Sequence, residues 1–166
     1  MGLEIKISSL NDNIVVYFFE EYIYSKGDHT HIWGDKVEGM NFVEFLDYIY
    51  RDFGDNFFVV SLFDNRYVSC FGATLIESNE AIVFAWTKSS TQNAWKSWLF
   101  FLDECSKRGI SKICAKINSF NKRSLSIATR LQFSLELNDD VYKGCRESSY
   151  NNIERNLDAK LNLKHV

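Results

Sequence analysis

The 166-residue sequence contains no proline, no Cys-x-x-Cys pair and no Asn-x-Ser/Thr acceptor. Its cysteines are the separate Cys70, Cys105, Cys114 and Cys145, so a secreted disulfide framework is not expected. No apolar run approaches the roughly 18 to 20 residues that span a bilayer, and the N-terminus lacks a signal-peptide profile. These absences predict a soluble, unprocessed, cytoplasmic protein, with Cys70 and Cys114 as inert core thiols.

A strong charge of one sign is also lacking, because 19 Lys/Arg against 22 Asp/Glu give a net charge of -3. Net charge therefore does not suggest nucleic-acid binding. Hydrophobic residues reach 46% and aromatic residues 16%, which is enough to bury the core of one ordinary domain. The many Phe, Tyr, Lys and Asn residues together with the missing proline are typical of an AT-rich genome, such as that of a virus or phage.

Apolar periodicity predicts helices and strands in the order β-α-α-β-β-β-α-β-α-β-β. Asn41 and Asn121 precede two of the helices as N-caps, and Asp64-Asn65 separates two strands as a tight turn. This order predicts one mixed α/β domain over residues 1–149, with a central sheet flanked by about four helices.

The last residues, 150–166, lie beyond what that domain requires. Ile153, Leu157 and Leu161 recur at helical spacing there, so a short amphipathic helix is predicted. Such a helix is marginal alone and must pack on its own domain or on another chain. A protein partner or a second copy of the chain is therefore expected at this extension, and no membrane is expected.

The order of elements and the start of the third helix resemble the GCN5-related N-acetyltransferase (GNAT) family. In that family a loop of pattern [QR]-x-x-G-x-[GA] binds the coenzyme A pyrophosphate through backbone N–H groups, as helix N-termini do. Gln92 and the small Ser97 match the pattern, whereas Trp95 stands at its central glycine. The resemblance implies that acetyl-CoA is bound by two segments of this chain: Ala85, Trp86 and Thr87, and Gln92, Asn93, Ala94, Trp95, Lys96 and Ser97.

A second resemblance lies in the fourth helix, where family members read approximately N-x-x-[AS]-x-x-[LIF]-Y-x-x-x-G-F. Ala128 replaces the tyrosine that protonates the departing thiolate in many members, and Gln132 replaces the glycine. The resemblance adds Asn121 and Ser124 to the implied cofactor contacts. The positions that match are Asn121, Ser124, Ile127, Leu131 and Phe133.

Glu77 and Glu80, on either side of the turn before the fourth strand, are candidate general bases for an amine. The alternative for both is an exposed turn carboxylate. Likewise, the phosphate loop can be read as an ordinary capped helix start, in which Trp95 and Trp98 belong to the core. His29 and His31 lie in a loop with Asp28, Asp35 and Glu38, but no third ligand at a diagnostic spacing supports a metal site there.

Charge is unevenly distributed, since residues 88–130 hold nine of the 19 basic residues and only two of the 22 acidic ones. A basic segment suits the phosphates of coenzyme A, and an acidic first half suits a cationic amine or a basic partner protein. The alternative is a set of solvated faces. The basic residues are Lys88, Lys96, Lys107, Arg108, Lys112, Lys116, Lys122, Arg123 and Arg130.

Two functions follow from the resemblance. Losing both the loop glycine and the tyrosine favours a catalytically impaired GNAT-like protein used for binding or assembly, as in phage-encoded proteins of this fold that are associated with virions. The alternative is an acetyl-CoA-dependent N-acetyltransferase that transfers the acetyl group directly to an amine. The sequence identifies neither the acceptor nor the partner.

Overall fold

The computed structural model describes residues 2–24, 39–87 and 91–149, with the side chains of 21–24, 86, 87, 91–94 and 123 outside that description. The elements follow the predicted order. The strands are β1 (Leu3–Ser9), β2 (Phe57–Phe63), β3 (Arg66–Glu77), β4 (Glu80–Thr87), β5 (Lys112–Asn118), β6 (Ser134–Asn138) and β7 (Val141–Glu147). The helices are α1 (Asp12–Tyr24), α2 (Phe42–Phe53), α3 (Thr91–Lys107) and α4 (Lys122–Arg130).

Asparagine side chains begin three of the helices. The Asn11 and Asn121 Oδ1 atoms accept the backbone N–H groups of Ile14 and Ser124, at 3.1 and 3.2 Å. At α2 the cap is reciprocal, because Asn41 accepts from the Glu44 N–H while the Glu44 carboxylate accepts from the Asn41 N–H. These bonds satisfy donors that a helix start leaves unpaired, so the predicted caps are confirmed.

The strands form one seven-stranded sheet of order β1-β2-β3-β4-β5-β7-β6. Only β4 and β5 are parallel, and every other neighbouring pair is antiparallel. The final hairpin inserts β7 between β5 and β6. This arrangement matches the predicted mixed central sheet.

Each face of the sheet has its own core. Helices α1 and α2 cover one face over β2–β4, where Phe18, Phe45 and Phe58 are fully buried. Helices α3 and α4 cover the other face, where Trp98 and Phe101 stack in the interior. No helix among the described residues is long and apolar enough to cross a membrane.

Cys114 was expected to be an inert core thiol, and that expectation is wrong. The register of β5 against β7 places Cys114 directly opposite Cys145, and the two form a disulfide. Their separation of 31 residues gave no signal, because only the long-range strand pairing brings them together. Cys70 and Cys105 are buried free thiols, and burial raises the pKa of both.

Candidate active site

The parallel strands β4 and β5 pair over only three positions, from Glu80–Lys112 to Ile82–Cys114. Beyond Ile82, β4 continues to Thr87 while still paired with β3. Beyond Cys114, β5 continues to Asn118 while still paired with β7. The sheet is therefore split into a wedge between the two strands, called the β4–β5 cleft below.

The cleft extends along β4 for five residues past Ile82, or about 16 Å at a strand rise of about 3.3 Å per residue. The two sides of the cleft are lined by backbone N–H and C=O groups, which would be hydrogen-bonded if the parallel pairing of β4 and β5 continued. Ala85 is exposed in this part of β4, which is paired with β3 but not with β5. The implied pantetheine-binding strand, residues 85–87, thus forms one wall of the cleft.

Both helices that follow these strands begin at the mouth of the cleft. Helix α3 starts at Thr91, soon after β4 ends, and α4 starts at Lys122, soon after β5 ends. The backbone N–H groups of a first helical turn have no partner within the helix and favour anions. Ligands in open sheets bind at the carboxyl ends of parallel strands, which is where this arrangement lies.

The phosphate-loop residues lie within the first turns of α3. The backbones of Gln92, Asn93 and Ala94 are helical, whereas their side chains lie outside the described part, as do those of Trp86 and Thr87. Lys96 is exposed and Ser97 is fully buried. The Ser97 hydroxyl bonds the Ser61 hydroxyl of β2, so it holds the helix against the sheet.

Trp95 points into the core and is only 4% exposed. The interpretation that Trp95 and Trp98 belong to the core is therefore confirmed, and Leu99 and Leu102 of the same helix lie in that core. Because the indole packs inward, it does not cover the outward backbone of the first turn. Its Nε1 is buried without a hydrogen-bond partner among the described residues.

Helix α4 carries the residues that resemble the second motif in sequence. Asn121 and Ser124 are half-buried at its start, and Ala128 is buried against the same core as Trp98. At its end, Gln132 adopts a left-handed φ of 69°, the conformation for which glycine is the usual residue. The N–H groups of Gln132 and Phe133 close a Schellman cap on Thr129 and Ala128.

The two candidate bases differ in position. Glu77 is exposed at the end of β3, whereas the Glu80 side chain is 20% exposed at the start of β4. The Glu80 Oε1 lies 3.1 Å from the Cys114 Sγ and 3.8 Å from the Lys112 Nζ. Cys114 belongs to the last β4–β5 pair, which marks the narrow end, or apex, of the cleft. Of the two carboxylates, Glu80 is therefore the one that reaches the apex.

The structure divides the basic residues into separate groups. Lys96 and Lys122 are exposed at the mouth of the cleft. Lys107 and Arg108 lie at the opposite end of α3, where Arg108 pairs with Glu104 at 3.1 Å and lies over the Phe57 ring. Only the first group lies at the mouth, where the sequence resemblance predicts the cofactor phosphates, whereas the second complements a helix C-terminus.

Several predicted features lie outside the described residues. They include the loop with His29 and His31 and the extension 150–166. The Lys88 residue and the Arg123 side chain lie outside it as well.

Sequence reasoning missed two features of the site. One is the shortness of the β4–β5 pairing, because a strand's length does not reveal how many residues its neighbour contacts. The other is the grouping of Lys112, Cys114 and Cys145 around Glu80. Side-chain alternation along each strand is visible in the sequence, but the register between strands is not.

No protein-family model matches the sequence, and no functionally curated protein matches it. Among solved structures, similarity is found to yncA, a putative acetyltransferase from Salmonella typhimurium with its cofactor acetyl-CoA, at 14% identity and a TM-score of 0.63; the match covers 89% of this chain and 96% of that one. A probable acetyltransferase from Staphylococcus epidermidis matches at 13% identity over 88% and 100% of the two chains, with a TM-score of 0.65.

Spermidine N-acetyltransferase from Vibrio cholerae, in complex with coenzyme A and spermine, is similar at 11% identity and a TM-score of 0.66; the match covers 87% of this chain and 95% of that one. At such low identity these matches establish the architecture alone. The chain has the mixed α/β fold of the GNAT acetyltransferases.

Proposed function

We propose that the protein is an acetyl-CoA-dependent N-acetyltransferase. The observation that carries the proposal is the β4–β5 cleft, where two parallel strands separate while each keeps its other partner. An extended thioester arm fits between two such strand edges by hydrogen bonding to their free backbone groups. The first turn of α3 supplies N–H donors for the pyrophosphate at the mouth.

Trp95 is compatible with this role, although it replaces the glycine of the implied loop. Glycine serves such loops by letting the backbone approach an anion closely. Here the indole is directed into the core, which leaves the outward side of the first turn unobstructed by that ring. Lys96, the next residue, is exposed and adds a positive charge near the same turn.

The reaction proposed is direct transfer. After the ammonium group of the acceptor has released one proton to solvent, the neutral amine nitrogen attacks the thioester carbonyl carbon, a C–N bond forms, and the C–S bond breaks with its electron pair leaving on sulfur. Glu80 accepts the proton that the amine loses. Its carboxylate contacts Cys114, a member of the last β4–β5 pair, and its Cα lies about 7 Å along β4 from that of Ile82 at the usual strand rise, nearer the start of the open stretch than Glu77.

No tyrosine stands at position 128 to protonate the leaving thiolate. Thiols ionise with a pKa of about 8.5, so a thiolate leaves near neutral pH with little assistance and takes its proton from water. Ala128 instead fills core space against α3 and the sheet. The missing tyrosine is thus expected to slow the reaction without preventing it.

The acceptor class proposed is a cationic amine. Residues 1–87 carry 14 of the 22 acidic residues and 5 of the 19 basic ones, and a negative surface raises the local concentration of a cation. The spermine in the Vibrio cholerae structure is an amine of this class. Spermidine and spermine are accordingly the first acceptors to test.

A non-catalytic binding or assembly protein is the second candidate. The specific observation in its favour is that Ala128 offers no proton donor where many relatives of this fold have one. In that case the cleft would be a remnant, and the chain would act through protein contacts. Cofactor binding separates the two candidates.

The test is calorimetric titration of the purified protein with acetyl-CoA and with coenzyme A at moderate salt, using adenosine as a ligand without phosphate. Saturable binding near micromolar for the first two, with none for adenosine, supports the transferase. Release of free thiol in the presence of spermidine then reports transfer. Absence of binding at millimolar cofactor overturns the proposal and favours the binding protein.

A further inference from the structure

Three metal-binding side chains meet at the apex of the cleft, on the face of the sheet opposite α3 and α4. Cys114 and Cys145 face each other across β5 and β7 with Cα atoms 3.9 Å apart, and they form a disulfide. The Glu80 carboxylate contacts Cys114 at 3.1 Å. We propose that the reduced form of this group, the Glu80–Cys114–Cys145 cluster, binds a divalent cation of the zinc class.

The geometry suits a tetrahedral ion. The carboxylate oxygen and the two sulfur atoms all lie within 4.8 Å of one another. Around zinc, with metal–sulfur bonds of about 2.3 Å and metal–oxygen bonds of about 2.0 Å, neighbouring ligands stand roughly 3.5 Å apart. Backbone pairing keeps the cysteines opposite each other with or without the S–S bond, so reduction leaves both sulfurs within reach.

Charge also favours this class of ion. Two thiolates and one carboxylate carry three negative charges in a partly buried place, where unpaired charge is costly. A divalent cation balances two of them, and Lys112, whose Nζ lies 3.8 Å from the Glu80 Oε1, balances the third. Thiolate ligands select soft or borderline ions such as zinc over magnesium or calcium.

An open cavity of about 760 Å³ adjoins one member of the cluster, Cys145. Lys112 also lines it, together with Ser106 and Ile110 around the end of α3, whereas Glu80 and Cys114 do not. Three protein ligands leave one tetrahedral position for water or another ligand, as in sites that are not closed by a fourth side chain. The cavity brings solvent to the Cys145 side of the cluster.

The disulfide and the metal site are alternative states of the same two sulfurs. A dithiol reductant transfers two electrons and two protons to them, so the S–S bond breaks, two thiols form, and the dithiol becomes a cyclic disulfide. Zinc then binds as the thiols release their protons to solvent. A small-molecule disulfide that accepts the two electrons, and is released as two thiols with protons from solvent, reforms the S–S bond, removes both sulfur ligands at once and should release the metal.

The experiment uses the full chain, reduced with a dithiol, desalted without oxygen and titrated with zinc against a chromophoric chelator. One zinc per chain is expected, with none bound after reoxidation. Titration with cobalt should give a thiolate-to-cobalt charge-transfer band and the visible spectrum of a tetrahedral ion. If the reduced protein withdraws no zinc from the chelator and gives no such band, the proposal is wrong.

Matched variants locate the site. Loss of an outer-shell partner costs roughly 10- to 100-fold in metal affinity, so Cys145→Ser and Glu80→Gln should each weaken zinc binding about 100-fold or more. Glu136→Gln, an exposed carboxylate of β6, and Cys105→Ala, a thiol of the α3 core, should leave it unchanged.

Circular dichroism verifies that each variant is folded. If Cys145→Ser does not fold, the zinc affinity of Glu80→Gln decides the test. Full affinity in Glu80→Gln would exclude the three-ligand site. These readouts are independent of cofactor binding, so failure of the metal site and failure of the proposed transferase are distinguishable.

Discussion

Ile82 and Cys114 form the last pair that joins β4 to β5. Up to this pair the sheet is continuous, and past it each strand keeps only its outer neighbour. Glu80 lies two residues before Ile82 on the same side of β4, and its carboxylate touches Cys114. A single pair of residues thus marks both the apex of the proposed cofactor cleft and the edge of the proposed metal site.

Lys96 and Lys122 should contribute to cofactor affinity through the coenzyme A phosphates. Both are exposed at the mouth of the cleft, where an ion pair contributes at most about 1 kcal/mol. Lys96→Ala and Lys122→Ala are each expected to weaken binding about fivefold in calorimetry. Added salt should reduce the difference, because it screens exposed charges.

Lys107→Ala is the control for these two variants. It removes the same charge from the opposite end of α3, far from the mouth. Equal weakening by all three substitutions would mean that net charge alone governs affinity and that neither lysine contacts a phosphate.

Glu80→Gln should lower kcat for amine acetylation while leaving the Kd for acetyl-CoA unchanged. A positioned general base contributes typically 100-fold or more, and glutamine preserves the size of the side chain without accepting the proton. Steady-state kinetics with spermidine, together with calorimetry, separate the two effects. Glu77→Gln, which alters an exposed turn carboxylate, should change kcat less than threefold, and the reverse ranking would assign the base to Glu77.

Local sequence signals predicted the elements well. Asn41 with Glu44 three residues later is a capping box that can be read directly, and the alternating or helical spacing of Phe and Trp residues gave the buried faces. These features depend on neighbours a few residues apart. The order β-α-α-β-β-β-α-β-α-β-β followed from them.

Features that depend on long-range pairing did not follow from the sequence. Nothing near Cys114 or Cys145 indicates that β7 inserts between β5 and β6 and brings them together. Similarly, the sequence predicted that Ser97 belongs to a phosphate loop, whereas its hydroxyl is hydrogen-bonded to that of Ser61, 36 residues away. Register between distant strands is set by the whole core.

Trp95 should be replaceable by phenylalanine but not by glycine. Trp95→Phe keeps an aromatic ring in the core and removes an indole N–H that has no partner among the described residues; the lost indole volume offsets that gain, so the free energy of unfolding should change by less than about 1.5 kcal/mol. Trp95→Gly empties the core, at roughly 3 to 5 kcal/mol, and adds a helix-interior glycine, at about 1 kcal/mol.

Urea denaturation measures these differences, and calorimetry with acetyl-CoA accompanies it. Trp95→Phe should bind the cofactor within about twofold of the unsubstituted protein, since the ring faces the core. A large gain in affinity for any folded Trp95 variant would show instead that the indole obstructs the phosphate loop.

Gln132→Gly should stabilise the protein. Gln132 has a φ of 69° at the end of α4, and a left-handed conformation costs a side chain other than glycine roughly 1 to 2 kcal/mol. Part of the gain is offset because glycine also frees the unfolded chain, which leaves about 0.5 to 1 kcal/mol. The thermal midpoint should rise by roughly 1 to 4 °C for a domain of this size.

Gln132→Ala is the matched control, since alanine shortens the side chain but keeps the Cβ that disfavours positive φ. Its thermal midpoint should stay near that of the unsubstituted protein. Equal stabilisation by alanine and glycine would mean that the glutamine side chain, and not its backbone conformation, is unfavourable here. Stabilisation by glycine alone would show that the lost stability comes from the left-handed backbone of Gln132 and not from its side chain. The cap at the end of α4 would then have the backbone conformation of a glycine, occupied by a residue that does not favour it.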